Sequence, residues 1–140
     1  MREMFYTIMM AIGSGLSYFF GGVDTMFIVL CVFLLIDYVS GLIVASVFKN
    51  SPKTETGKLN SSASFKGLCK KFFVVILVGV AHFLDMVLDT NFIRGGVIVV
   101  FISNETISMI ENAGLMGIPV PNVLLKAIDI LNEREEKMYE

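Results

Sequence analysis

The chain has 140 residues, a mass of 15.5 kDa, 55% hydrophobic and 17% charged residues, and a mean hydropathy of +0.75. An ordinary soluble domain carries about 45–50% apolar and about 25% charged residues, and so short a chain has too little interior to hide the excess. This argues against a soluble enzyme, a disordered tail and a disulfide scaffold, while a net charge of −2 supplies no global basic field for nucleic acid.

The first hydrophobic block runs from Met4 to Phe20. Its lead, MREMFY, lacks the positive n-region of a cleaved signal peptide, so none is expected. As a helix the block reaches about 25 Å. Ala11 and Gly15, four apart, let helix backbones approach closely in lipid. A span is expected, the alternative being a helix lying in the interface. The second block, Thr25 to Phe48, has 24 residues. It reaches about 36 Å as a helix, enough to cross hydrocarbon with some tilt.

Residues 49–71 form a polar stretch that holds Lys49, Lys53, Lys58, Lys66, Lys70 and Lys71 against Glu55, a net +5. The positive-inside rule makes this stretch a cytoplasmic loop, and the lysines serve as a topogenic signal in contact with anionic lipid. The third block, Phe72 to Leu88, then runs outward. The fourth, Phe92 to Met116, returns and is stopped by Gly117-Ile118-Pro119-Val120-Pro121. The tail, residues 122–140, repeats apolar residues at helical spacing among charges and predicts an amphipathic cytoplasmic helix. Inside a bilayer only helices or closed barrels satisfy the backbone, and barrel strands would alternate. The expected fold is thus a single all-α membrane domain over residues 1–140, with three to four transmembrane helices and a C-terminal amphipathic helix.

Polar residues interrupt the apolar blocks. Asp37 lies in the second, His82 and Asp85 share a face of the third, and the fourth carries Asn104, Glu105, Ser108, Glu111 and Asn112. An ionisable group at mid-membrane costs about 2.5–3.5 kcal/mol on insertion scales. No lysine or arginine is expected at the depth of Asp37 or Glu105. The acids are therefore read as protonated, hydrogen-bonded to polar neighbours, or facing water. In the fourth block Asn104, Ser108 and Glu111, and likewise Glu105, Ser108 and Asn112, recur at helical spacings and are read as one polar face. Three readings stand: interhelical hydrogen bonding, a pore lining, or a proton or ion relay. A single histidine and two unclustered cysteines, Cys31 and Cys69, make no metal site. No phosphate loop or nucleophile motif is present, and neither catalysis nor a cofactor is expected.

Asp37-Tyr38-Val39-Ser40-Gly41 resembles the Asp-Tyr-x-Thr/Ser-Gly motif of phage holins of the toxin-secretion/phage-lysis type. Phe65-Lys66-Gly67-Leu68-Cys69-Lys70-Lys71, Ala81-His82-Phe83-Leu84-Asp85, and the closing Asn104-Glu105, Ser108, Glu111-Asn112 and Gly117 to Pro121 segment are similar to that family's motifs, in the same order. The chain departs from the pattern at Ala63-Ser64, where arginine or glycine is usual, and residues 51–57 look like an insertion. The resemblance implies a homo-oligomer in the bacterial inner membrane that opens lesions for an endolysin or a large toxin. A small ion channel or transporter subunit, and an antiholin or membrane scaffold, are the alternatives.

Overall fold

The computed structural model describes residues 1–139 and contains five α-helices: α1 (Arg2–Phe19), α2 (Thr25–Ile43), α3 (Ser61–Leu88), α4 (Ile93–Leu115) and α5 (Asn122–Tyr139). A π-helical turn, Val44–Phe48, extends α2. The expected tail helix is present in α5, with Glu140 outside the described residues. Three stretches are long and apolar enough to cross a membrane: Thr25–Phe48, Ser61–Leu88 and Ile93–Leu115.

These three run up, down and up. The turns near residues 20–24 and 89–92 therefore share one end of the bundle, the turn end, and the 49–60 loop lies at the other, the loop end. Contacts tie each end. Arg94 reaches the α1–α2 turn, and Asn50 Nδ2 donates to the Leu115 carbonyl. Between the ends, Phe27, Leu30, Leu34, Val78 and Ile98 form the apolar core.

The exterior is what lipid, not water, would select. Leu35, Ile36, Val39, Val47, Phe72, Phe73, Leu84 and Val87 are all exposed, while Asp37, Asp85, Ser103 and Asn112 are buried. A soluble bundle inverts this arrangement, because exposing so much apolar surface to water forfeits about 25 cal/mol per Å².

The basic loop ends earlier than the sequence pattern predicts. The third helix begins at Ser61, not Phe72. The cause is local: Asn60 accepts from the Ala63 backbone N–H at 3.1 Å and caps the helix, and the following serines, alanine and lysines continue it despite their polarity. Lys66, Lys70 and Lys71 therefore stand on α3, leaving only Lys49, Lys53 and Lys58 in the loop.

The first helix joins the bundle at its C-terminal end alone. None of its residues is buried. Tyr18 packs edge-on against Phe83, and the Phe19 ring lies where a Cβ on Gly79 would stand, so any larger residue there must displace that ring. The chain then turns through Gly21 and Gly22, whose φ values of 73° and 98° suit glycine. His82 presses on Gly21 from α3. At the other terminus, α5 packs on α4 and buries Ile128.

Candidate functional site

Twelve residues separate Thr25 from Asp37 and Ile93 from Glu105, so both acids lie about 18 Å along their helices from the turn end. A lysine meets them there. Lys71 Nζ, on α3, donates to Asp37 Oδ2 on α2 at 2.6 Å and to Glu105 Oε2 on α4 at 2.5 Å. The expectation that no cation matches the acids' depth is therefore incorrect. Lys71 closes the polar stretch before Phe72, but its long stem carries the ammonium between the two carboxylates.

A second layer of bonds fixes Asp37. Asn112 Nδ2, on α4, donates to Asp37 Oδ1 at 3.0 Å and to Ser40 Oγ at 2.9 Å, and Ser40 Oγ donates to the Asp37 carbonyl at 3.0 Å. Asp37 and Ser40 are one helical turn apart, so both face the same asparagine. Each of the three membrane-length helices thus contributes to one cluster: Asp37 and Ser40 from α2, Lys71 from α3, Glu105 and Asn112 from α4. Among the described residues, no buried side-chain polar atom lacks a hydrogen-bond partner.

The single polar face expected in α4 divides in two. Glu105, Ser108 and Asn112 turn toward the bundle, Asn112 being buried and the other two partly so. Asn104 and Glu111 are exposed and belong to a different face.

His82 and Asp85 are separated in function. His82 packs edge-on to Tyr18 at a ring separation of 6.5 Å. Asp85 is buried and caps the next helix: its carboxylate accepts from the backbone N–H of Ile93 at 3.0 Å and of Arg94 at 2.8 Å, and from Thr90 Oγ1 at 2.7 Å. A carboxylate at a helix N-terminus meets unpaired donors and the positive end of the helix dipole.

Beside it lies a contact that sequence reading missed. Arg94 pairs with Asp24 through Nη1 at 2.7 Å and Nη2 at 3.3 Å. Its Nε also donates to the Phe20 carbonyl at 2.6 Å, and Nη2 to that of Gly22 at 3.0 Å. Asp24 in turn caps α2 by accepting from the Phe27 N–H at 2.9 Å. The Arg94 hydrogen bonds hold the Asp24 carboxyl below its ordinary range. Of the remaining lysines, Lys49, Lys53, Lys58, Lys66 and Lys70 are all exposed.

A family model for bacteriophage holins matches residues 14–133. Among curated proteins, the Listeria monocytogenes protein Lmo0128 is 40% identical over 130 residues, covering 89% of this chain and 87% of its own. BH0965 of Halalkalibacterium halodurans is 36% identical, covering 90% of this chain and 92% of its own. A 14.9 kDa protein encoded in the nagH 3' region of Clostridium perfringens is 32% identical, covering 89% and 90%. The three carry no described activity in their names. No solved structure matches the chain.

Proposed function

The chain belongs to the bacteriophage holin family, and from that premise we propose that it accumulates in the bacterial inner membrane and there assembles with copies of itself into lesions that release an endolysin or a large protein toxin. The family match over most of the chain carries this reading. The geometry supports it in two ways. First, a single copy is a closed bundle. Its Asp37, Lys71, Glu105 and Asn112 bond to one another beside a packed apolar core. Such a copy would rest harmlessly in lipid. Second, Asn104 is exposed at the depth of Glu105. A lipid-facing amide in hydrocarbon gains by hydrogen bonding to another helix, by about 0.6–2 kcal/mol, which favours association of copies.

In this proposal the lysine-rich loop end and the C-terminal helix lie in the cytoplasm, following the charge asymmetry. The role is non-catalytic: the chain works by what it lets through. A folded enzyme is tens of ångströms across on domain-size scaling, more than three packed helices can enclose, so many copies must cooperate.

The test is inducible expression in bacteria together with a cytoplasmic endolysin. The expected result is loss of membrane potential followed by abrupt clearing of the culture, with a steep dependence on protein level. Ion leakage with the endolysin retained would replace the proposal with an ion channel. Intact potential and no release would point to a scaffold or antiholin.

A further inference from the structure

An open cavity of about 720 Å³ lies at the loop end, between the 49–60 loop and the first turns of α3. Its lining includes Lys53 from the loop and Lys66, Lys70 and Lys71 from α3. Two carboxylates, Glu55 and Glu105, share it. Lys71 is committed to Asp37 and Glu105. Among the described residues, Lys53, Lys66 and Lys70 enter no ion pair. Four ammonium groups therefore stand against three carboxylates, counting Asp37, and leave an excess of one positive charge. Hydroxyl donors from Thr56 and Ser62 and the N-terminus of α3 face the same space, and the end of a 28-residue helix adds its own positive potential.

We propose that this cavity binds the phosphodiester headgroup of an anionic glycerophospholipid. The single negative charge of a phosphodiester balances the excess of the cavity, and the lysines and hydroxyls supply donors to its oxygens. Two observations favour a lipid over a free phosphate. The lining continues down α3 to Val74, inside the apolar stretch of that helix. Phe65 and Phe72, exposed on α3, lie one helical step from Lys66 and next to Lys71, where acyl chains descending from the headgroup would pass. The binding differs from general attraction of a basic loop to a charged surface, because it assigns the work to the lysines of the cavity and not to Lys49 and Lys58, which lie outside it.

The experiment titrates the purified full chain in detergent with dioleoylphosphatidylglycerol or dioleoylphosphatidylcholine and reads retained lipid by native mass spectrometry. Phosphatidylglycerol should be retained in preference to phosphatidylcholine. The pair Lys66→Gln and Lys70→Gln should weaken its retention about 25-fold, at about 5-fold per lysine. The pair Lys49→Gln and Lys58→Gln should leave it unchanged. All four lysines are exposed, so folding is not at stake, and helix content by circular dichroism verifies this. Equal retention of both lipids, or equal loss in both pairs, would overturn the proposal. Displacement of phosphatidylglycerol by millimolar glycerol 3-phosphate would also overturn it, by showing a site for soluble phosphate.

Discussion

At the turn end, Arg94 holds the bundle with a planar fork: two bonds to one carboxylate and two to backbone carbonyls, with half of the Asp24 side chain open to solvent. At the loop end, Lys71 holds it with a single nitrogen shared by two carboxylates, all three groups largely out of solvent. The first arrangement is balanced charge for charge and geometrically specified. The second carries one more acid than base and depends on one compact cation. Arginine with one carboxylate and two carbonyls makes a fixed clamp; lysine between two carboxylates makes a conditional one, whose loss strands both at once. If the bundle rearranges when copies assemble, the loop end is where the smaller chemical change has the larger effect.

The largest expected effect follows directly. Lys71→Met should cost about 3–5 kcal/mol, the range for removing one partner from buried ion pairs, measured by unfolding in mixed micelles. A loss no greater than that of an exposed pair, about 0–1 kcal/mol, would erase the contrast between the ends. Next comes the cap at the turn end. Asp85→Ala leaves the Ile93 and Arg94 N–H groups without their acceptor, and should cost about 1–2 kcal/mol by analogy with other helix caps. Asp85→Asn should recover part of that loss.

The smallest effect is a pH dependence. Asp24 has its pKa lowered by Arg94 from the ordinary 3.8. A carboxyl with a lowered folded-state pKa stabilises at all pH above its unfolded value and loses that contribution as pH falls through the lowered value. Protection of the Phe27 amide from hydrogen exchange, corrected for intrinsic rates, should therefore stay constant down to about pH 4 and fall as the pH drops below 3.8. Protection that stays level through the acid range would show that Asp24 is not held by Arg94.

Much of this was legible in the residues. The second and fourth apolar blocks match α2 with its π turn and α4 closely, because lipid-spanning helices advertise themselves by length and composition. The start of α3 was not legible from hydropathy, since its first turns are polar and rely on the Asn60 cap. Hydropathy hides Lys71 for the same reason: in a loop a residue has no face. Once it is on a helix, the signal is plain. Lys71, Val74, Val78, Ala81 and Asp85 recur at alternating spacings of three and four. Phe27, Leu30, Leu34 and Asp37 in α2 keep the same rhythm, as do Arg94, Ile98, Phe101, Glu105, Ser108 and Asn112 in α4. Such stripes mark one inward face per helix. Extending the stripe of the third block backwards from Asp85 reaches Lys71. No comparable rule pairs Arg94 with Asp24, 70 residues apart: that contact depends on which turns the up-down-up path brings to one end.

The most direct test of the shared-lysine cluster is a double-mutant cycle on Asp37 and Lys71. Asp37→Asn and Lys71→Met are measured singly and together by unfolding in mixed micelles. If the ammonium and carboxylate satisfy each other inside one chain, the double variant should be more stable than the sum of the single losses predicts. The coupling should be about 1–3 kcal/mol, within the range for residues in one network. Additive losses, agreeing within about 0.5 kcal/mol as for distant sites, would contradict it.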